Sequence, residues 1–148
     1  MLYDVYAVIR LNIRHHTDYV SQVTIRCQIY PSEDPEKVKT AVKNIFPNAE
    51  PEIEGNRLIA EADLGHFFRL IRKERILDTA RAQMEKGMHK DGRRTAFRLN
   101  KQVATVGKIS FVDYHTVLGT LNITITDDDI EALIDKVAPE TVNGVEMK

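Results

Sequence analysis

The sequence predicts one α+β domain, a largely antiparallel or mixed sheet with helices packed on one face. Three observations predict it. Apolar residues alternate with polar ones in several separated stretches, the mark of strands that bury one side only. Between them lie segments whose apolar residues recur at helical spacing. The chain is also 148 residues long, with no repeat, low-complexity tract or Gly/Ser/Pro-rich linker to divide it. At that length folding hides roughly 68–70% of the unfolded surface, enough for a core without disulfides.

From Tyr3 to Ile13 every odd position is apolar, so this stretch is expected to be an ordered strand, at the sheet edge or paired across a homodimer. Residues 23–29 form a second strand, with Val23, Ile25, Cys27 and Ile29 on one side and Thr24, Arg26 and Gln28 on the other. The two are placed to pair as a hairpin around His15–Asp18. Asp34 can cap a helix that begins at Pro35, and Glu36 suits its first turn. Val38, Ala41, Val42, Ile45 and Phe46 make its apolar stripe, and Pro47 stops it. Glu52–Glu54 and Arg57–Ala62 read as short strands about Gly55–Asn56, the first on weaker patterning.

A short helical stretch containing Phe67, Phe68, Leu70 and Ile71 follows Asp63 or Leu64. A second helix is expected from about Arg75 to Lys86, with Leu77, Ala80 and Met84 inward and Gly87 as its cap. Asp78, Arg81 and Glu85 form a charged row on it. Thr95, Phe97 and Leu99 then alternate with Arg94, Ala96, Arg98 and Asn100 in a strand. Lys101 and Gln102 fall in a loop, and Ile109 and Phe111 mark another strand. Leu121, Ile123 and Ile125 mark a third. Asp127, Asp128 and Asp129 open a closing helix with Ile130, Leu133, Ile134 and Val137 inward, ending before Pro139. Acids at a helix start are stabilised by its dipole, so capping is preferred here to Mg²⁺ binding.

Charge is distributed very unevenly. The whole chain carries 21 basic and 22 acidic residues, yet residues 69–108 hold twelve bases against four acids, a local charge of +8, while the flanks carry −3 and −6. A clustered positive field attracts polyanions even on a near-neutral protein. Arg75, Arg81, Lys90, Arg93, Arg94, Arg98, Lys101 and Lys108 are therefore the candidate contacts. Arg93, Arg94 and Arg98 weigh most, because Arg94 and Arg98 leave one strand on the same side, ~13 Å apart, and guanidinium groups present planar forks to phosphate oxygens. Few aromatic residues accompany them, which favours backbone and shape recognition over base stacking. A solvated face neutralised by ion pairs to the acidic C-terminal helix is the bland alternative.

Chemistry other than binding finds little support. There is no phosphate-cradling glycine loop, dinucleotide fingerprint or nucleophile elbow. His15 and His16 point to opposite sides of an extended chain and lack partners for a metal. Asp63 and His66 read as a cap and a surface residue. Cys27, the single cysteine, sits in an apolar row as a small core residue and leaves no disulfide to form, which fits a reducing compartment. No apolar run approaches the ~18 residues that span a bilayer. The composition, 43% hydrophobic and 29% charged, is that of a globular protein. The expectation is a cytoplasmic, non-catalytic protein without cofactor or metal.

The stretches VTIRCQIYPSEDPEKVKTAVKNIFP, RAQMEKGM, FRLNKQVATVGKISF, LGTLNITI and EALIDKVAPET resemble a small archaeal family labelled as RNA-binding proteins and predicted exosome subunits. The similarity runs over residues 23–141 and leaves residues 1–22 as an added strand or extension. It implies an α+β fold like that of the large-subunit ribosomal protein that binds 5S ribosomal RNA, and an archaeal, cytoplasmic setting. It supplies no catalytic residues. Taken with the basic segment, it leads to the expectation of an RNA-binding protein, accessory to an RNA-processing complex or to ribosome assembly. A protein-interaction subunit with an acidic partner is the alternative, and an enzyme acting on a phosphorylated small molecule ranks third.

Overall fold

A computed structural model describes residues 21–113 and 119–146 of the chain. The expected strand Tyr3–Ile13 and the histidines 15 and 16 lie outside the described residues. Within them one antiparallel sheet of six strands has the order β2-β3-β1-β6-β4-β5, where β1 is Gln22–Gln28, β2 Glu52–Glu54, β3 Arg57–Ala62, β4 Arg94–Asn100, β5 Phe111–Val112 and β6 Thr120–Thr126. Five helices accompany it: α1 Pro35–Ile45, α2 Gly65–Lys73, α3 Leu77–Lys86, α4 Lys101–Ala104 and α5 Ile130–Val137.

The alternation seen in the sequence sets which side of each strand is dry. On β1 the residues Val23, Ile25 and Cys27 are buried, as are Leu58 and Ala60 on β3, Thr95, Phe97 and Leu99 on β4, and Leu121, Ile123 and Ile125 on β6. The register aligns them, with Ile25 opposite Ala60 on one side and Ile123 on the other, and Phe97 opposite Ile123. Onto this face press Val38, Ala41, Val42 and Ile45 of α1, Phe67, Leu70 and Ile71 of α2, Leu77, Ala80 and Met84 of α3, and Ile130, Ile134 and Val137 of α5, all buried. Phe67 stands at the middle of an aromatic group, stacked on Phe46 at 5.9 Å and Phe97 at 5.7 Å and edge-on to Phe111 at 6.5 Å. Such pairs contribute ~0.5–1.5 kcal/mol each beyond the area they bury.

The helix termini are built as the sequence indicates. Asp34 Oδ1 accepts from the Glu36 amide at 3.0 Å, with Pro35 beside it at the first helical position. Asp129 caps α5 by accepting from the Ala132 amide at 3.1 Å, and Asp127 accepts from the Asp129 amide at 2.8 Å. Between α2 and α3 the chain reverses through Arg75 at φ +58°, and the Ile76 amide reaches back to the Ile71 carbonyl. That is a Schellman-type ending with arginine in the left-handed place that glycine usually takes.

β1 is flanked by β3 and by β6. Three details depart from the sequence reading. The expected loop at Lys101–Gln102 is the short helix α4, capped by the Asn100 side chain on the Val103 amide at 3.0 Å. The strand expected around Ile109 is confined to Phe111–Val112, because the Ile109 amide is taken by the Glu74 carboxylate at 3.1 Å. A small hairpin, β7 Thr141–Val142 and β8 Val145–Glu146, closes the described chain. Its turn is Asn143–Gly144, with φ of +53° and +82°, the geometry that an Asn-Gly pair favours.

The end of α3 is clamped to the edge of β4. The Ala96 amide donates to the Gly87 carbonyl at 3.2 Å, and Met88 bridges to Thr95. A β-carbon at Gly87 would fall 1.9 Å from the Ala96 carbonyl oxygen. Gly87→Ala must push the helix end off the strand and is expected to destabilise the fold by ~1–3 kcal/mol, the usual cost of overpacking. Urea unfolding of the variant beside the wild type measures this; equal midpoints would refute the clamp.

Candidate functional site

The side of the sheet turned away from the helices carries the polar halves of the alternating strands. Cross-strand partners share a side of a sheet, so the register places residues in rows. Arg26 lies opposite Asn122, and Asn122 opposite Arg98. One step along, Thr24 lies opposite Thr124 and Thr124 opposite Ala96, and at the end Gln22, Thr126 and Arg94 share a row. With strands ~4.8 Å apart, Arg26 and Arg98 stand about 10 Å from each other, across a single asparagine. Arg26, Arg94, Ala96 and Thr126 are exposed, and Thr24, Arg98, Asn122 and Thr124 half-buried. The acids of this face lie toward the far edge: Glu61 opposite Thr24 on β3, and Glu52 and Glu54 on β2. The β1, β6 and β4 part is thus the positive part.

The eight expected contacts do not form one patch. Arg94 and Arg98 share the open face. Arg93, one position earlier, leaves the chain on the other parity and sits beside the aspartates that precede α5: its carbonyl accepts from the Asp127 amide at 3.0 Å, and its amide donates to Asp91 at 2.9 Å. Lys90 is exposed in the turn just before it. Arg75 and Lys108 are exposed at the other end of β4, brought near each other by the Glu74 to Ile109 contact. Arg26, the residue missed, was legible as an outward position of β1, but nothing in the sequence places β1 two strands from β4.

Two expected contacts are corrected. Arg81 is spent inside the protein: its guanidinium lies 2.8 Å from Asp135, 3.3 Å from Glu85 and 3.7 Å from Glu140, and donates to the Ala138 carbonyl at 3.2 Å. Burial works against its charge, but Asp135 first, then Glu85 and Glu140, more than offset this and hold its pKa above the ordinary value. It is the ion-paired alternative realised for that residue. Asp78 of the same row bonds instead to the Thr141 hydroxyl at 2.7 Å.

Lys101 is buried, its side chain 1% exposed. Its ammonium donates to the Gln28 carbonyl at 2.7 Å and to both Glu33 oxygens at 2.9 and 3.2 Å, under the Tyr30 ring at 5.0 Å. Gly119, at φ +84°, passes so close that a β-carbon there would lie 2.9 Å from the Tyr30 ring. Nearby, burial pushes the Cys27 thiol up to about 11 despite the opposing pull of Lys101, so it is no nucleophile at neutral pH.

Where α3 and β5 overhang the open face there is a recess of about 380 Å³. Ala96, Arg98, Asn122 and Thr124 contribute from the sheet, and Gln83, Lys86 and Asp113 from the rim. Asp113 accepts from Lys86 Nζ and Gln83 Nε2, each at 3.1 Å, and these contacts, Lys86 first, hold its carboxyl below the usual range. Arg98 Nη1 reaches the Asp113 carbonyl at 3.4 Å. A second cavity, about 830 Å³, lies at the start of β1 and is rimmed by Glu50, Glu61 and Asp63. Among the described residues no group of three or more His, Cys, Asp or Glu is disposed to hold a metal, and no helix is long and apolar enough to cross a membrane.

Among the described residues, an antiparallel sheet bears helices on one side and a polar, partly cationic face on the other, which defines the class: an α+β fold with its helices packed on one face of the sheet. The family model described as "RNA binding" matches residues 22–135, and the chain belongs to that family. A UPF0201 protein of Metallosphaera sedula is 39% identical over 134 residues, covering 84% of this chain and 92% of that one. A UPF0200/UPF0201 protein of Archaeoglobus fulgidus is 41% identical over 131 residues, 86% of this chain, which spans only 40% of that relative's length. The crystal structure of a UPF0201 protein from Methanococcus jannaschii superposes with a TM-score of 0.76 at 35% identity, covering 86% of this chain and 99% of that one.

The reassignment of Lys101 yields a test. Lys101→Ala strands the Glu33 carboxylate at a site where its side chain is 10% exposed, and loss of one partner of a buried pair costs ~3–5 kcal/mol. The Lys101→Met, Glu33→Gln double variant should recover much of that loss. Denaturant titration checks both; a Lys101→Ala protein as stable as the wild type would return this lysine to the surface.

Proposed function

We propose that the protein binds RNA through the β1-β6-β4 part of the open sheet face, with Arg26, Arg94 and Arg98 contacting phosphates, and that it does so without catalysing a reaction. The observation that supports this reading most is the row Arg26–Asn122–Arg98, with Arg94 at the end of β4. Three guanidinium groups spaced over a flat polar surface suit a phosphate chain, and the intervening Thr and Asn side chains are neutral hydrogen-bonders of the kind that contact phosphate and sugar. The family's description agrees with it. Lys90, Arg93, Arg75 and Lys108 extend the positive field from both ends of β4 and act by attraction at longer range, within the Debye length of ~8–10 Å. An accessory role in RNA processing or ribosome assembly, in the cytoplasm, is the setting this implies.

Replacing Arg26, Arg94 and Arg98 together by alanine removes cations from the solvated side of the sheet and should leave the fold intact by circular dichroism. Affinity for structured RNA should fall for unrelated sequences alike, and the slope of log affinity against log salt should fall by roughly two to three units, ~0.7–0.9 for each lost phosphate contact. A folded triple variant with unchanged affinity and slope would remove this face from the reading. Absence of wild-type binding to any cellular RNA would remove the reading itself.

A further inference from the structure

The recess beside Arg98 differs from the rest of the open face in offering acceptors as well as donors. Asn122 Oδ1 is occupied by the Thr120 hydroxyl at 3.0 Å, which leaves its amide hydrogens as donors toward the recess. Arg98 makes one long bond to the Asp113 carbonyl, so most of its fork remains available. On the opposite rim Gln83 and Lys86 donate to Asp113 Oδ1. The remaining lone pairs of that carboxylate, and Gln83 Oε1, have no partner among the described residues. Phosphate alone does not account for this arrangement, since a carboxylate on the rim repels it. A ligand with acceptors on one edge and N–H donors on another does.

We propose that this recess holds one unpaired guanine base of RNA, read by Arg98 and Asn122 through its O6 and N7 acceptors and by Asp113 and Gln83 through its N1–H and N2–H donors. The inference rests on the RNA-binding reading of the same face and refines it: where a guanine is seated, Arg98 turns its fork from the phosphate chain to the base, and Arg26 and Arg94 keep the phosphate contacts. Guanine is the base that presents two acceptors to an arginine fork and also carries donors for a carboxylate. Cytosine carries its N4–H donors and its N3 and O2 acceptors on one edge, and uracil flanks its single N3–H with carbonyl oxygens, so neither offers acceptors on one edge and donors on another; adenine has no O6 for the guanidinium. The volume, about 380 Å³, lies at the low end of the ~300–1,000 Å³ of small-ligand sites and suits one nucleotide. Phe97, the aromatic residue in its lining, turns its ring into the core against Phe67, so the base is read by its edges, while phosphates along Arg26 and Arg94 fix the strand. Ala96 forms part of the floor and is exposed, so a larger side chain there fills the recess without entering the core.

The test measures binding of a short oligouridylate carrying a single central guanosine, adenosine or cytidine, at two salt concentrations, to the wild type, Asp113→Asn and Ala96→Phe. The wild type should prefer the guanosine oligomer by about tenfold, within the range of one good bidentate base contact. Both variants should lose that preference. Asp113→Asn should keep or gain affinity for plain oligouridylate, because it removes a negative charge without touching a phosphate contact; a merely structural role would lower affinity for every oligomer. Should Ala96→Phe fail to fold by circular dichroism, Asp113→Asn decides alone, its side chain being 53% exposed. Equal binding of all oligomers, preference for another base, or a guanosine preference that survives in the folded variants overturns the assignment while leaving RNA binding in place. No binding of any oligomer by the wild type overturns both.

Discussion

The structure depends on a single constraint: each central strand can bury only its alternate residues, and all the burial is on one side. Ile25, Ile123 and Phe97 meet across three adjacent strands, and the apolar stripes of α1, α2, α3 and α5 close over them. Phe67 ties this layer together by touching aromatic rings from the C-terminal cap of α1, from β4 and from β5 at once. Because the register of such a sheet cannot slip by one residue without turning the core outward, the residues of the open face are held in place just as firmly. The positions of Arg26, Arg94 and Arg98 are by-products of where the isoleucines must go.

Electrostatics follows the same partition. A segment of charge +8 holds enough cations for a broad positive surface, yet folding disposes of its members in different ways. Lys101 turns inward to close the loop after β1 onto the end of β4, through Glu33 and the Gln28 carbonyl. Arg81 joins α3 to α5 and the chain after it through Asp135 and Glu140. Arg72 does the same for the terminal hairpin, where it holds Glu146 at 3.1 Å. Arg81 and Arg72 thus anchor the acidic C-terminal part, and Lys101 holds Glu33 of the N-terminal part. What remains for an external anion is smaller than the sequence count and includes Arg26, which lies outside the basic segment altogether.

The candidate recess shows how such a site arises without a motif. Gly87 permits α3 to end against β4, and Asp113 ends β5 where Lys86 and Gln83 of that helix can reach it. The donors on its floor come from β4 and β6. Its seven contributing side chains belong to four segments spread over more than forty residues of sequence, and none of them is unusual in its own stretch.

The sequence by itself determined the elements and their dry sides. Period two over Val23–Cys27 and Leu121–Ile125, the stripe Val38–Phe46, the caps Asp34 and Asp129 and the Asn143–Gly144 turn are local properties, set by side-chain direction and backbone sterics within a few residues. The Asn100 cap of α4 is local in the same way. Even the placement of Arg94 and Arg98 on the same side of β4 was legible, because strand alternation settles it. Only the tertiary structure decided which strands are neighbours, and with that the pairing of Arg26 with Arg98, the separation of Arg93 from Arg94, and the burial of Lys101. The physical reason is that a cation's fate is set by what lies within about 4 Å of its end, and for these residues those atoms belong to parts of the chain tens of residues away, joined by loops whose length says little about direction.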